Sequence, residues 1–104
     1  MIRVTLLYPN HPGATFDHKY FTEKHVPLAK ALLGSLGLVR IEIDKGISAP
    51  DPKVPAPFAV IAHDIFHSVD DVHNAFKAVG RQLMDDIPNF TNVQPQVQIS
   101  EMVD

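Results

Sequence analysis

The sequence predicts a single α+β domain of ferredoxin-like type with the element order βαββαβ. Four segments have the composition or the apolar–polar alternation of strands, and two segments between them have apolar residues at helical spacing. The chain has 104 residues, which suits one domain and leaves no room for a second. Right-handed crossovers then place both helices on one face of a four-stranded antiparallel sheet and leave the other face open.

The first strand and first helix are predicted from local composition. Residues 2–8 are rich in β-branched and aromatic side chains and end at a turn-forming run, residues 9–13. Asp17 has the position of an N-cap, and Gly34 supplies a stop. Pro27 lacks a backbone donor, so we expect a kink beside it. The apolar stripe of this helix comprises Phe21, His25, Leu28 and Leu32.

The middle of the chain predicts two strands joined by a stiff loop. Residues 36–46 alternate apolar and polar side chains, which is typical of a strand with one buried face. Residues 47–57 hold four prolines in eleven positions, so they predict an exposed irregular loop that is placed to act as a lid. Residues 58–66 are nearly continuously apolar and predict a central strand, interrupted by His63 and Asp64.

The last third of the chain predicts the second helix and the fourth strand. Ser68 has the N-cap position, with Asp71 at the capping-box position, and the helix should end near Asp85 and Asp86. Residues 93–102 alternate apolar and polar side chains and predict a strand with a polar face. The buried stripe of the helix comprises Val72, Phe76, Val79 and Leu83.

The open face of the predicted sheet favours a homodimer. If the apolar residues of the two edge strands (Val39, Ile41, Ile43, Val97 and Ile99) face the helices, the polar residues between them, including Arg40, Glu42, Gln96 and Gln98, face the open side. Such a surface is too mixed to be core, yet apolar neighbours join it. Two sheets stacked face to face would form a dimeric α/β barrel around a partly polar cavity, which suits a small ligand.

Composition and missing motifs exclude several classes of function. The net charge is −3, with basic residues scattered singly, so we expect no nucleic-acid partner. No apolar run reaches membrane length and the N-terminus lacks a signal-peptide layout, so we expect no membrane association and a cytoplasmic protein. The chain has no cysteine, which excludes thiolate chemistry. It also lacks the motifs of serine hydrolases, kinases and nicotinamide dehydrogenases.

Three segments together resemble the EthD family, named for ethyl tert-butyl ether degradation, over nearly the whole chain. They are Leu7-Tyr8-Pro9-Asn10 with Pro12-Gly13, His25-Val26-Pro27-Leu28 with Leu33-Gly34, and Asp86-Ile87-Pro88-Asn89-Phe90-Thr91 followed by Val97-Gln98-Ile99-Ser100. The resemblance implies one EthD-like domain over residues 1–104 that forms a dimeric α/β barrel. It also implies a link to oxidative degradation, first to ether breakdown, and thus to oxidoreductase pathways. Relatives with this barrel include monooxygenases, isomerases, cyclases and decarboxylases.

Two histidines are the candidate catalytic residues. His25 lies on the apolar stripe of the first helix, and the resemblance marks it as a pocket residue. An imidazole gains and loses a proton near neutral pH, so His25 could act as general acid or base, or else be a core histidine bonded to the carbonyl of Glu23 that Pro27 frees. His63 interrupts a central strand, where a polar group needs a partner or a cavity. By parity it groups with Ile61 and Ile65. If that set faces the barrel, His63 meets Arg40, Glu42 or Gln98; the alternative is a histidine bonded to its neighbours without a function.

Further residues are candidates for holding a ligand. Tyr8 and Tyr20 could each offer a phenol, and Arg40 and Gln98 could each hold an oxygen, although packing or surface roles also fit. The adjacent Asp85 and Asp86 are interpreted as capping and solubilising residues. The histidines do not predict a metal site, because their separation along a strand or helix is too long for one ion.

Two hypotheses of function follow. The first is an enzyme that uses cofactor-independent acid/base chemistry on a small apolar or aromatic carbonyl-bearing metabolite. It covers isomerase, cyclase, decarboxylase and oxygenase reactions. The second is a non-catalytic protein that binds a small molecule or assists a partner oxygenase. Both need the same cavity with the same polar groups, so the sequence does not separate them.

Overall fold

The computed structural model describes residues 1–104 as a four-stranded antiparallel sheet with two helices on one face. The strand order is β2-β3-β1-β4, so the predicted βαββαβ order and the central positions of the first and third strands are confirmed. Neither helix is long and apolar enough to cross a membrane. The strands are β1 Ile2–Pro9, β2 Leu38–Lys45, β3 Phe58–Phe66 and β4 Gln96–Glu101.

The first helix is continuous from residue 18 to residue 33 but changes its winding near Pro27. It consists of an α-helical turn His18–Tyr20, a π-helical turn Phe21–His25 and an α-helix Val26–Leu33. The predicted N-cap is confirmed, because Asp17 accepts a hydrogen bond of 3.0 Å from the backbone nitrogen of Tyr20. A proline cannot donate to the carbonyl four residues earlier and its ring crowds that carbonyl, so a wider turn before it relieves both problems. The predicted irregularity is therefore a π-helical turn.

The first helix ends at Leu33 with Gly34 as its C-cap, where the sequence predicts a stop. Gly34 keeps a helical conformation with φ of −56° and begins a 3₁₀ turn, Gly34–Leu36. The left-handed residue is Gly37, with φ of 98°. A Cβ atom placed on Gly37 would lie 2.8 Å from a carboxylate oxygen of Asp71, so both backbone angle and space require glycine here. The predicted stop at Gly34 is thus confirmed for the α-helix, and Gly37 turns the chain toward β2 after the 3₁₀ turn.

The second helix, Val69–Asp86, begins and ends where the sequence predicts. Ser68 caps it by accepting a hydrogen bond of 3.1 Å from the backbone nitrogen of Asp71. The helix continues into a short 3₁₀ turn, Ile87–Asn89. Its apolar stripe packs with the first helix against the sheet, in a core that includes Val4, Ala29, Leu33, Phe66, Val72, Ala75 and Leu83.

Strand pairing largely confirms the predicted faces. Glu42, His63, Thr5 and Gln98 form one row across the open face. Val97 and Ile99 pair with the helix-facing residues Leu6 and Val4, but both remain exposed because they lie beyond the edge covered by the helices. An irregularity in β2 between Leu38 and Arg40 leaves Val39 outside the regular pairing and exposed, so its predicted position against the helices is wrong.

The fourth strand starts at Gln96, three residues after its predicted start at Val93. Hydrogen bonds hold the preceding segment against the loop that follows β1, because Thr91 Oγ1 donates to the carbonyl of Thr15 at 2.6 Å. Asn92 donates to the carbonyl of Gly13 at 2.9 Å and accepts from the backbone nitrogen of Thr15 at 2.8 Å. Val93 is consequently buried in a second core cluster with Tyr8, Phe21, Val60, Ala62, Ile87 and Phe90.

The loop between β2 and β3 is irregular, as its prolines predict. Its end is fixed to the end of β1, because the side chain of Asn10 donates to the carbonyl of Ala56 at 2.9 Å and the backbone nitrogen of Asn10 donates to Pro57. Its role as a lid stays a prediction.

Gly34 and Gly37 provide a matched test of which glycine the backbone conformation requires. We expect Gly37→Ala to lower the free energy of unfolding by about 1–2 kcal/mol, because the left-handed backbone and the contact with Asp71 both oppose a Cβ atom. Gly34→Ala meets no atom within 4 Å and should be neutral or stabilise by roughly 0.5 kcal/mol. Urea unfolding measures both, and equal effects of the two variants would contradict this assignment.

Candidate functional site

A small cavity lies between the sheet and the two helices. Its volume is about 50 Å³, little more than the space that one or two water molecules occupy in the liquid. The polar side chains among its lining residues are Tyr8, His25 and Asp64, and the others are apolar. Two lining residues, Ile43 and Met84, are 38% and 48% exposed, so the cavity reaches the surface between β2 and the second helix.

His25 enters this cavity from the π-helical turn of the first helix. Its Nδ1 atom lies 2.9 Å from Oδ2 of Asp86, at the end of the second helix. An ionised carboxylate only accepts hydrogen bonds, so Nδ1 carries the hydrogen of this bond. The other nitrogen, Nε2, has no hydrogen-bond partner in the chain and is therefore the atom available to a ligand. The predicted alternative, a bond to the carbonyl of Glu23, is wrong.

Asp86 is held by three donors. Besides His25, the hydroxyl of Tyr20 donates to its Oδ1 atom at 2.7 Å and the side-chain amide of Asn89 donates to the same atom at 2.9 Å. Burial alone would raise the pKa of Asp86, but the hydrogen bonds from Asn89, Tyr20 and His25 outweigh burial and lower this pKa below its ordinary value. Asp86 is thus an ionised anchor for His25, and its interpretation as a capping or solubilising residue is wrong.

Aromatic rings fix the plane of the His25 imidazole. The ring of Phe21 stacks on it at a centroid distance of 5.5 Å and an interplanar angle of 18°. Phe90 contacts it at 4.6 Å and 55°. Together with Asp86, these contacts restrict both the tilt and the rotation of the ring.

Asp64 is a second polar group of the cavity, and sequence reasoning treated it only as an interruption of β3. It points to the helix side of the central strand, where its neighbours on the adjacent strands are Val4 and Ile41. Asp64 is only 8% exposed and makes no hydrogen bond or ion pair within the chain. Burial raises its pKa to about 6. The available signal was a carboxylate at a helix-facing position of an apolar strand.

Tyr8 is buried beside Asp64 in the second core cluster. Burial, and then the negative charge of Asp64, raise the pKa of its phenol, so the hydroxyl stays protonated. Its ring packs edge-on against Phe16, Phe21 and Phe90 at centroid distances of 5.3, 6.0 and 5.7 Å. Tyr8 therefore combines a packing role with a lining position.

The sheet separates the predicted site residues into two groups. Tyr8, Tyr20 and His25 lie on the helix side, whereas His63, Arg40 and Gln98 lie on the open side. His63 lies 3.2 Å from Thr5 Oγ1 and 3.3 Å from Asp44 Oδ2. Arg40 donates to Glu42 at 2.7 Å, and Gln98 donates to Ser100 at 2.9 Å. No single site within one chain joins His25 to Arg40 or Gln98.

Comparisons with known proteins identify the family. The family model described as the EthD domain matches residues 13–94. The chain belongs to the EthD family. An EthD-like protein from Ralstonia eutropha JMP134 is 33% identical to it, with a TM-score of 0.92 over 99% of this chain and 92% of that one. Among curated proteins, none matches the chain.

More distant solved structures share the fold of this EthD protein. An ethyl tert-butyl ether degradation family protein from Bacillus halodurans C-125 is 16% identical, with a TM-score of 0.71 and 99% of each chain covered. A dimeric ferredoxin-like protein from an uncultured marine organism is 13% identical, with a TM-score of 0.56 over 100% of this chain and 96% of that one. Other neighbours carry names of candidate monooxygenases, including one from Bordetella bronchiseptica.

Asp64 predicts a stability that depends on pH. Its pKa is raised to about 6 in the folded protein from an ordinary value of 3.8, so the fold favours the neutral acid. The cost of ionising it is absent below the ordinary pKa and complete above the folded one, where it amounts to about 3 kcal/mol. We compare the free energies of unfolding of Asp64→Asn and the original protein. We expect the difference to shift in favour of Asp64→Asn by roughly 2–3 kcal/mol as the pH rises from about 4 to about 7.5.

Urea unfolding of both proteins at the two pH values measures this gain. Asp85→Asn is the matched control, because Asp85 is an exposed carboxylate that has no side-chain partner in the chain. A difference between Asp64→Asn and the original protein that stays constant with pH would contradict the prediction.

Proposed function

We propose that this EthD protein is a cofactor-independent acid/base enzyme that acts on a small carbonyl-bearing molecule in the helix-side cavity. The observation that carries the proposal is His25, whose Nδ1 is bonded to Asp86 while Nε2 has no partner in the chain. In this arrangement Nε2 takes a proton from the substrate and returns it.

Asp86 supports this role as a positioning residue. Its hydrogen bond to Nδ1 fixes which nitrogen of His25 is free, and its negative charge stabilises the imidazolium that forms after proton transfer. Tyr20 and Asn89 keep Asp86 in place and ionised.

The cavity indicates how the substrate binds. Because its volume is about 50 Å³, far below the ~300 Å³ that usually encloses a ligand, the cavity takes the reacting end of the substrate. The rest of the molecule lies across the mouth at Ile43 and Met84, both apolar. An apolar carbonyl compound suits this site, and the chemistry extends to isomerisation, cyclisation, decarboxylation or cofactor-free oxygenation.

The small cavity also supports the second candidate, a binding or accessory protein without catalysis. In that case the bond between His25 and Asp86 joins the first helix to the second and stabilises the fold. This function predicts ligand binding without turnover, so an assay of proton transfer separates it from the enzyme.

A homodimer through the open face of the sheet is the second part of the proposal. This face carries a row of polar side chains, Glu42, His63, Thr5 and Gln98, which no helix covers and which a second chain would bury. Both nitrogens of His63 already have neighbours within hydrogen-bond distance, which favours an interface role for it over a catalytic one. A structural neighbour described as a dimeric ferredoxin-like protein supports the same assembly.

Hydrogen–deuterium exchange tests the catalytic role of His25. We expect the protein in D₂O to accelerate exchange of the hydrogens next to the carbonyl in at least one of three ketones: butanone, cyclopentanone and acetophenone. Removing the base by His25→Gln should lower this rate by about 100-fold or more. Asp86→Asn should lower it as well, because it weakens the anchor of the imidazole. Proton NMR measures each rate.

Asp85→Asn is the control for Asp86→Asn, since it removes the neighbouring, exposed carboxylate of the same helix. It should leave the rate unchanged. Binding of a ketone with no exchange above the buffer rate would favour the accessory role, and full activity of His25→Gln would exclude this histidine as the base.

The dimer has a separate test. The double variant Gln96→Lys with Gln98→Lys adds two positive charges to the exposed edge of the open face, so it should weaken the dimer. Light scattering after size-exclusion chromatography should give a dimer for the original protein and a monomer or mixture for this variant. Gln82→Lys makes the same change on the exposed side of the second helix and should stay dimeric. A monomeric original protein would overturn the proposal.

A further inference from the structure

The carboxyl of Asp64 has no structural explanation within the chain. It is more than nine-tenths buried on a central strand and has neither a hydrogen-bond donor nor a cation as partner. Its carboxyl oxygens are not fully closed off from solvent, so they remain open to the cavity, while burial of the side chain disfavours their charged form. A carboxyl in this state is typical of residues retained for function.

Asp64 and His25 line the same cavity from different walls. Asp64 comes from the sheet, on β3, and His25 comes from the first helix. The lining residues of β2 are Ile41 and Ile43, and those of the second helix are Phe76, Gly80, Leu83 and Met84, none of which titrates. The titratable groups that face the cavity are therefore Asp64, His25 and Tyr8.

We propose that Asp64 is a second catalytic residue, which exchanges a proton with the carbonyl oxygen of the substrate while His25 exchanges one with the adjacent carbon. The substrate class that requires both groups is a small enolisable ketone, and the reaction is its interconversion with the enol. This inference rests on the proposed acid/base function and assigns its substrate class.

The two proton transfers balance without any further reactant. The bond between hydrogen and the carbon next to the carbonyl breaks, and Nε2 of His25 accepts the proton. The electron pair of that bond forms the carbon–carbon double bond, the carbonyl π bond opens, and the oxygen takes the proton of the Asp64 carboxyl. In the reverse direction Asp64 takes back the hydroxyl proton and His25 returns its own, either to the same carbon or to another carbon of a conjugated system.

The environment of Asp64 suits a proton donor. Burial raises its pKa to about 6, so a useful fraction of the carboxyl is protonated near neutral pH, which an exposed aspartate would not provide. The phenol of Tyr8 is less suited to exchange a proton, because burial raises its pKa above the ordinary value. Asp64 is thus the group of the sheet wall that can both give and take a proton.

The ketone exchange assay tests this inference with Asp64→Asn, an isosteric variant without an exchangeable acid. We expect the exchange rate to fall by about 100-fold or more. We also expect a change in the pH profile. In the original protein the rate should fall above about pH 6 as the acid ionises, and Asp64→Asn should lose this alkaline decline.

Two further variants make the test decisive. Asp85→Asn removes an exposed carboxylate without a side-chain partner and should keep full activity. If Asp64→Asn folds poorly, the exchange rate is measured with Asp64→Ala instead. We expect Asp64→Ala to lose as much activity as Asp64→Asn. Circular dichroism and urea unfolding establish that each variant is folded.

The outcomes separate this inference from the function on which it rests. One outcome is that His25→Gln is inactive, whereas Asp64→Asn and Asp64→Ala are folded and keep both the full rate and the alkaline decline. Asp64 is then not catalytic, while the acid/base function stands. If the original protein exchanges none of the three ketones faster than buffer, the proposed function fails and this inference fails with it. Loss of activity in both His25→Gln and Asp64→Asn supports both.

Discussion

The hydrogen bond between His25 and Asp86 is the interaction on which the organisation of this site depends. It joins the π-helical turn of the first helix to the last residue of the second, across the helix-covered side of the sheet. Pro27 contributes indirectly, because the wider turn that precedes it sets the position of His25. The donors around Asp86 then keep it ionised, which fixes the free nitrogen of the imidazole. The hydrogen bond between His25 and Asp86 thus depends on the geometry of the first helix and determines which nitrogen of His25 is free for chemistry.

Stability and function oppose each other at Asp64. An apolar residue at this position would pack with its neighbours Val4 and Ile41 at no electrostatic cost. The carboxyl instead destabilises the folded state as it ionises, and no hydrogen-bond donor or cation in the chain offsets this destabilisation. The rest of the domain compensates through two apolar clusters that lie on the same side of the sheet. A well-packed core lets the fold tolerate a buried carboxyl that has no partner.

Periodicity predicted the architecture because helix and strand patterns report directly on which face is buried. The strand order, both N-caps and the stop of the second helix followed from periodicity, capping positions and the handedness of crossovers. Contacts between distant residues were not accessible in this way. The partnership of His25 with Asp86 spans 61 positions, and Asp86 looked like a surface residue beside Asp85. The close approach of Asp71 to Gly37, which leaves no room for a Cβ atom there, is likewise a contact between distant residues.

Adjacent residues of β3 serve opposite faces of the sheet. The strand alternation that turns Asp64 toward the helices turns His63 toward the open side, so one residue belongs to the cavity and the next to the proposed interface. The sheet is only one strand layer thick, and both residues lie on the same central strand. A second chain that covers the open face would therefore rigidify the strand that carries Asp64 without contacting the cavity. In the proposed dimer, any coupling between assembly and the cavity would thus pass through the backbone of β3, since the two sites share no side chain.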